Sequence, residues 1–137
     1  MNLQPEFEKL EKELKPDVWI VDDDESIRKV ITRMIESLFK LKVKTFSRGE
    51  EMLKEFDSNP EAAPQIIFVD GDFGSGNLNG PSIVNSLRTK GYKGLIVAFS
   101  ADEKLLEEMI KCGANTKLKK PFTISDLKEI FEKIHSE

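Results

Sequence analysis

Residues 18–26 read VWIVDDDES, and this stretch decides the fold class. Four apolar residues, the length of a short buried strand, run directly into four consecutive carboxylates at positions 22–25. Two carboxylates about 4 Å apart repel by roughly 4 kcal/mol at an effective dielectric constant of about 20. The dipole of a helix favours acidic residues in its first turn, which explains part of the run. The rest of the run predicts a bound cation at the end of the strand.

After Pro16, strand-like segments alternate five times with segments of helical period. Strand and helix repeated in this way predict a parallel sheet covered on both faces by right-handed crossover helices. The predicted fold class is therefore α/β, a doubly wound five-stranded parallel sheet with five helices. The pattern alone leaves the order of the strands open. The strands are predicted at residues 18–21, 41–46, 66–69, 94–99 and 115–119.

The composition is that of one ordinary globular domain. The chain has 137 residues, with 21 lysines and arginines against 25 acidic residues, so its charge gives no reason to expect nucleic acid or a membrane as a main partner. Its apolar runs are far shorter than the ~20 residues that span a bilayer, and no secretion signal follows Met1. The one cysteine, Cys112, excludes an intramolecular disulfide and favours a cytoplasmic location.

The chain divides into an N-terminal helical extension, residues 1–16, and one domain, residues 17–137. Apolar residues at helical spacing among alternating charges predict a short helix in the extension. The single histidine, His135, is expected in a solvated tail, and Cys112 is expected as a small buried side chain near a helix end. Neither residue supports a metal cluster or a nucleophile pair.

Helix boundaries within the domain have local signals. Ser47 with Glu50, and Thr123 with Asp126, form capping patterns at two helix starts. Gly113 predicts a left-handed helix end. The helix after the acidic run is expected to bury one apolar stripe, made of Ile27, Val30, Ile31, Met34, Ile35 and Leu38.

Polar residues that close the predicted strands are candidates for a functional site. In a parallel sheet the carboxyl ends of the strands meet at one edge, where open α/β folds bind their ligands. A hard divalent ion such as Mg²⁺ prefers oxygen ligands and would relieve the repulsion among neighbouring carboxylates. The candidates at this edge are Asp22, Asp23, Asp70, Ser100 and Lys120.

The stretches WIVDDDES, QIIFVDGD, LIVAFSAD and CGANTKLKKPF, in that order and spacing, resemble the receiver domains of bacterial two-component response regulators. The resemblance covers residues 17–134 and is to single-domain members similar to chemotaxis regulators. It implies a flavodoxin-like receiver fold with strand order 2-1-3-4-5.

By this resemblance Asp70 is the phosphoacceptor, and its carboxylate attacks the phosphorus of a phosphohistidine on a sensor histidine kinase or a histidine phosphotransfer protein. Asp70 and Asp23 would bind Mg²⁺, with Asp22 acting mostly through water, and the backbone carbonyl of Asp72 would complete the protein ligands. The domain would signal by docking to an unknown downstream protein, as a monomer or weak dimer. It would assist its own phosphorylation and dephosphorylation without being an enzyme.

The resemblance also assigns two residues that contact the phosphoryl group. Ser100 matches the family's hydroxyl position and would hydrogen-bond one phosphoryl oxygen, while Lys120 would pair with another. In receivers the bond between this lysine and Pro121 is typically cis, which would aim Lys120 into the site. A helix cap is the alternative role for Ser100, a turn for Asp70, and a solvated surface position for Lys120.

Two features depart from the family pattern. Lys117 stands where most receivers have the Tyr or Phe that reports phosphorylation, and it is expected to stay outward because burying an unpaired ammonium is costly. The loop at residues 71–80, GDFGSGNLNG, is two residues longer than usual if Gly80 is the family's glycine. Its other glycines suggest mobility.

Three other functions remain open from the sequence. Asp70 and Asp72 resemble the Asp-x-Asp pair of haloacid-dehalogenase-type phosphatases, although the pair is on the third strand and the chain leaves no room for a cap domain. A flavodoxin-like mononucleotide binder shares the architecture, but the acidic run would repel a phosphate. A receiver that no longer takes phosphate and serves only as a docking module is the third, because Lys117 weakens the switch.

Overall fold

The computed structural model describes residues 15–74 and 76–136, and the side chains of residues 15–74 and 76–134. The helix predicted in residues 1–14 and the side chain of His135 lie outside the described residues. Among the described helices, none is long and apolar enough to cross a membrane. The elements in chain order are β1 Val18–Val21, α1 Glu25–Phe39, β2 Val43–Phe46, α2 Gly49–Ser58, a 3-10 turn Pro60–Ala62, β3 Ile66–Asp70, α3 Gly80–Thr89, β4 Leu95–Ser100, α4 Glu103–Cys112, β5 Thr116–Lys119 and α5 Ile124–Ser136.

The five strands are parallel, and their order in the sheet is β2-β1-β3-β4-β5, which confirms the expected order and fold class. Every residue of β1 and β3 is buried, because helices cover both faces of the sheet. Along β1, Trp19 and Val21 enter one core layer, whereas Val18 and Ile20 enter the other. Burial on both sides therefore explains the unbroken apolar sequence of this strand.

The helices form two layers on the sheet. Helices α1 and α5 pack on one face, and α2, α3 and α4 pack on the other. Phe39 at the end of α1 stacks on Phe131 of α5, with ring centroids 4.2 Å apart. With both faces covered in this way, the ends of the strands are the part of the sheet left for polar chemistry.

The apolar stripe predicted on α1 is too wide. Ile31 and Ile35 are fully buried, but Val30 and Leu38 are 50% and 42% exposed, so the prediction that these two residues face inward is wrong. The buried face of a helix on a sheet is a stripe about 100° wide, and neighbouring residues stand about 100° apart around the axis. Val30 therefore falls outside the stripe that contains Ile31.

Two predicted helix boundaries are confirmed. At the start of α5, the backbone N–H of Thr123 donates to the Asp126 carboxylate at 2.9 Å, and the N–H of Asp126 donates to the Thr123 hydroxyl at 3.1 Å. Gly113 ends α4 with a φ of 124°, a conformation that favours glycine. Cys112, the last residue of α4, is half-buried and packs against the core.

The capping role predicted for Ser47 is wrong. Helix α2 begins at Gly49, and Arg48 holds the capping position without a side-chain hydrogen bond. A Cβ atom at Gly49 would lie 2.5 Å from the side chain of Ile83 on α3. The start of α2 is therefore fixed by close packing against α3, which requires glycine, and not by a capping side chain.

At the edge of the sheet where the strands begin, Arg88 of α3 joins two loops, the one before β4 and the one before β5. Its guanidinium donates to the side-chain oxygen of Asn115 at 2.8 Å. It also donates to three backbone carbonyls, those of Gly113 at 3.0 Å, Tyr92 at 2.8 Å and Gly94 at 2.9 Å. Burial lowers the pKa of Arg88 from its usual value, but an arginine remains a cation at neutral pH. The junction ties the end of α3 to the starts of β4 and β5.

Candidate functional site

Three carboxylates meet at the edge of the sheet where the strands end. Asp22 follows β1 and Asp70 ends β3, and the pairing of Val21 with Val69 places the two acids side by side. Asp22, Asp70 and Asp23 each contribute one carboxylate oxygen to a group in which all three lie within 4.8 Å of one another. The side chains of Asp22 and Asp70 are buried and that of Asp23 is exposed, so the cluster opens to solvent at Asp23.

The other two acids of the run serve the start of α1. The Asp24 carboxylate accepts the backbone N–H groups of Ser26 at 2.9 Å and Ile27 at 3.4 Å and so caps the helix. Glu25 forms an exposed ion pair with Lys29, one helical turn later, at 3.1 Å. The first turn thus accounts for two of the four consecutive carboxylates, and the remaining two face the cluster.

Lys120 supplies the positive charge that contacts this cluster. Its Nζ atom lies 2.9 Å from Oδ1 of Asp70 and 3.0 Å from Oδ2 of Asp22. The same ammonium lies 4.7 Å from the ring centroid of Phe99. The peptide bond between Lys120 and Pro121 is cis, as the resemblance implies. One ammonium therefore faces three carboxylates.

The protonation of these groups reflects the shortage of positive charge. Burial raises the pKa of Asp70 to about 7; Lys120 opposes this rise, whereas the charges of Asp22 and Asp23 add to it. The pKa of Asp23 is raised as well, first by burial and then by Asp22. Burial lowers the pKa of Lys120, but its bonds to Asp70 and Asp22 outweigh burial and leave that pKa above its usual value. Lys120 therefore stays charged, and Asp70 is the carboxyl whose ionised form burial and repulsion disfavour.

These residues fit a hard divalent cation. The available donors are carboxylate oxygens, which Mg²⁺ prefers, and Mg²⁺ in proteins is typically held by one or two carboxylates together with a phosphate. A divalent charge would also stabilise the ionised form of Asp70, whose pKa is raised first by burial and then by repulsion from Asp22 and Asp23. Donor chemistry and excess negative charge thus agree.

Ser100, at the end of β4, presents a buried hydroxyl beside the end of β3. Its Oγ atom accepts the N–H of Asp102 at 3.0 Å, and no hydrogen bond donated by this hydroxyl is found among the described residues. A Cβ atom at Gly71 would lie 2.9 Å from the Ser100 Cβ, so glycine lets the residue after Asp70 approach closely. Asp102, not Ser100, caps α4, which rules out the helix-cap alternative for Ser100.

The loop after Asp70 contains an anchor that sequence reasoning missed. Phe73 is 2% exposed and packs in the core, and Leu78 packs partly against it. The only sequence signal was a lone aromatic residue among glycines. The carboxylate of Asp72 lies outside the three-carboxylate cluster and accepts the N–H of Gly74 at 2.9 Å.

Gly80 closes this loop against the site. A Cβ atom there would lie 2.6 Å from the carbonyl oxygen of Asp70, and the Gly80 N–H donates to the carbonyl of Gly71 at 2.9 Å. Helix α3 can begin this close to β3 only with glycine at position 80. That Gly80 is the family's glycine stays a prediction.

Lys117 points outward from β5, as expected. Its ammonium lies 2.7 Å from the carboxylate of Glu103 in the first turn of α4, and Lys119 lies 3.7 Å from the same carboxylate. The hydrogen bond between Lys117 and Glu103 raises the pKa of the lysine and lowers that of the acid. The lysine is thus part of the exposed surface between α4 and β5.

Comparison with known proteins agrees with this geometry. Residues 18–132 match the family model described as response regulator receiver domain. A probable chemotaxis protein CheY of Rhizobium etli is 27% identical over 121 residues, which cover 85% of this chain and 90% of that protein. The receiver domain of NtrX from Brucella abortus has a TM-score of 0.75 at 20% identity, with 85% of this chain and 96% of that chain covered. Vibrio cholerae CheY4 has a TM-score of 0.73 at 21% identity with the same coverage, 85% and 96%.

The family match spans all five strands and the three-carboxylate cluster. It favours neither the phosphatase nor the mononucleotide-binding alternative. Sequence, fold and site agree, and the chain belongs to the family of response regulator receiver domains.

Proposed function

We propose that this receiver domain accepts a phosphoryl group on Asp70 from a phosphohistidine, carried by a sensor histidine kinase or a histidine phosphotransfer protein. The observation that carries the proposal is the contact of the buried Asp70 carboxylate with the Lys120 ammonium, 2.9 Å away, inside the three-carboxylate cluster. A carboxylate held beside a fixed cation can act as a nucleophile toward phosphorus, and the cation then matches the charge of the product.

Mg²⁺ is the proposed cofactor. The carboxylates of Asp70 and Asp23 and the backbone carbonyl of Asp72 would hold it, with Asp22 acting mostly through water. When bound, the ion would neutralise and orient the phosphoryl oxygens.

In the proposed transfer, a carboxylate oxygen of Asp70 attacks the phosphorus of the phosphohistidine. The new bond is the acyl phosphate O–P bond, and the N–P bond breaks as the imidazole leaves with its electron pair. Lys120 pairs with one phosphoryl oxygen, and the uncommitted Ser100 proton is donated to another. Both Asp70 and Ser100 are only 4% exposed, so surrounding protein limits the approach of water to the product.

The phosphodonor is proposed to cover an apolar groove of about 390 Å³ beside the site. The groove lies between α1 and the turn after β5, and Lys120 lines both the groove and the site. An apolar helix face of the donor would bury the groove while its phosphohistidine reaches Asp70. Apolar residues of the groove include Ile27, Val30, Met34, Pro121 and Phe122.

Signalling would follow by docking of the phosphorylated domain to a downstream protein. A cytoplasmic location remains a prediction.

Acetyl phosphate with Mg²⁺ tests the proposal without a known kinase. We expect intact-mass spectrometry to show one added phosphoryl group on the wild type and none on Asp70→Asn, because an amide does not form the acyl phosphate. Glu25→Gln is the matched control, since Glu25 belongs to the same acidic run but pairs with Lys29 on the surface. This control should be labelled as the wild type is.

Two outcomes would contradict the proposal. Labelling of Asp70→Asn at the wild-type rate would remove Asp70 as the acceptor. A wild type that is never labelled would instead favour the docking module that takes no phosphate.

A further inference from the structure

Arg28, near the start of α1, reaches back to the main chain of the site. Its Nη1 atom donates to the backbone carbonyl oxygen of Asp22 at 2.6 Å, and the contact is partly buried. A cation near the N-terminus of a helix opposes the helix dipole. The position of Arg28 is thus unfavourable for the helix itself, and the contact with Asp22 is the interaction that favours it.

The contact of Arg28 completes a set of hydrogen bonds around Asp22. The side chain of Asp22 accepts the N–H of Asp24 at 2.8 Å through Oδ1 and the Lys120 ammonium at 3.0 Å through Oδ2. The carbonyl that Arg28 holds belongs to the planar peptide that joins Asp22 to Asp23. Its orientation therefore sets both where Asp22 points and where Asp23 begins.

We propose that Arg28 is a positioning residue for the metal-binding turn, residues 22–24. The proposal rests on the proposed function, because it concerns the same cluster of carboxylates. Arg28 touches neither the phosphoryl group nor the metal in this mechanism. It acts by fixing the peptide between Asp22 and Asp23, so that both carboxylates face Asp70.

Charge and positioning predict opposite effects when Arg28 is removed. Loss of a nearby cation would by itself strengthen the binding of Mg²⁺ to an acidic cluster. Loss of a contact that orients the ligands weakens binding, and partners that orient metal ligands typically contribute about tenfold or more in affinity. The direction of the change therefore separates the two roles.

Arg33 provides the matched control on the same helix. It lies on α1 and lines the same groove beside β2 as Arg28, but it is exposed. Within the described part of the chain, its side chain makes no hydrogen bond or ion pair. Arg33→Gln therefore removes the same charge from the same helix without removing a contact to the acidic turn.

The experiment measures Mg²⁺ affinity by calorimetric titration of the full chain. We expect Arg28→Gln to weaken Mg²⁺ binding about tenfold and Arg33→Gln to leave it nearly unchanged. Amide hydrogen exchange in metal-free protein is a second readout, since the N–H of Asp24 donates to Asp22. Exchange at Asp24 should accelerate in Arg28→Gln and not in Arg33→Gln.

Equal affinities and equal exchange in the two glutamine variants would overturn the inference, as would tighter Mg²⁺ binding by Arg28→Gln. If Arg28→Gln does not fold, Arg28→Lys is compared with Arg33→Lys, since both keep the charge. Weaker Mg²⁺ binding in Arg28→Lys alone supports positioning, and identical binding in the two lysine variants overturns it.

Labelling of the wild type by acetyl phosphate is measured in parallel. If the wild type is not labelled, the proposed function is rejected. If it is labelled but the Arg28 variants bind Mg²⁺ and exchange amide hydrogens as the Arg33 variants do, only the role of Arg28 is rejected.

Discussion

At the edge where the strands end, one ammonium, Lys120, contacts two buried carboxylates, whereas at the opposite edge one guanidinium, Arg88, donates to four neutral oxygens. Neutral acceptors satisfy a partly buried cation without adding charge, so the Arg88 junction needs no further partner. The cluster at Lys120 keeps excess negative charge, which adds to burial in raising the pKa of Asp70. The comparison separates an end of the sheet that serves stability from an end that is arranged for a ligand.

Breaking the Arg88 junction should give the largest change. Arg88→Ala is expected to lower the free energy of unfolding by about 3 kcal/mol, because oxygens of four residues lose a charged donor. Arg88→Lys should recover only part of this loss, since an ammonium lacks the planar arrangement of five donors. Urea unfolding measures both variants. A loss below about 1 kcal/mol for Arg88→Ala would show that the junction is not a main source of stability.

Adding Mg²⁺, which is proposed to bind the three-carboxylate cluster, should raise the free energy of unfolding by a slightly smaller amount. A ligand that binds only the native state adds about 2.7 kcal/mol at 100 times its dissociation constant. Asp23→Asn should lose most of this gain and Glu25→Gln should keep it, as judged by thermal unfolding with and without Mg²⁺. An Asp23→Asn protein that responds to Mg²⁺ like the wild type would exclude Asp23 from the ligands.

Without metal, the raised pKa of Asp70 should make the free energy of unfolding depend on pH. The pKa of Asp70 is raised from 3.8 to about 7, so between these values the folded protein holds a proton that the unfolded chain has released. The free energy of unfolding should therefore fall as the pH rises through this window, and Asp23 acts in the same direction. Above pH 7, Asp70→Asn should be more stable than the wild type by on the order of 1 kcal/mol, with little difference near pH 4.

Urea unfolding of metal-free protein across this pH range measures the effect. Arg88→Lys serves as the control, because the Arg88 junction has no acceptor that titrates between pH 4 and 7 and its removal should leave the slope unchanged. If the free energy of unfolding of Asp70→Asn falls with pH as steeply as that of the wild type, the pH dependence does not come from the titration of Asp70.

The smallest effect is expected on the surface between α4 and β5. Lys117 already pairs with Glu103 outside the core, so no buried ring is available to move when Ser100 turns toward a phosphoryl group. Beryllofluoride, a phosphoryl mimic, should shift amide NMR signals in residues 71–80 and after Ser100 more than in residues 116–119. Broad shifts through residues 116–119 and α5 would contradict this expectation. Lys117→Tyr is the converse variant and should enlarge those shifts.

The convergence of Asp22, Asp70 and Lys120 could be predicted because parallel strands end at one edge of the sheet, and each residue directly follows or ends a strand. Arg28 and Arg88 could not be predicted in the same way. From sequence alone, a long basic side chain on a helix is expected to be solvated. The acceptors of these two arginines are mostly backbone carbonyls, which every residue carries, so the residue types do not indicate the contacts.

The errors concern features that depend on neighbours in space. Val30 and Ile31 are both apolar, and only the arc of contact with the sheet decides which one is buried. Ser47 fits a capping pattern, but the close approach of Gly49 to α3 fixes the helix start elsewhere. The buried position of Phe73 likewise depends on a core formed by residues far away in the chain.

The residues of the candidate site are far apart in the chain, and this has a consequence for biosynthesis. Lys120 is separated from Asp22 by 98 positions and from Asp70 by 50. A ribosome that has synthesised the chain only as far as β4 has made the acidic pair and the proposed acceptor without their cation. Contacts of such long sequence separation are also slow to form during folding. Under the proposed function, Asp70 of a nascent chain could not be phosphorylated with the help of Lys120 until β5 joins the sheet. Only chains in which the sheet is complete would then be able to signal.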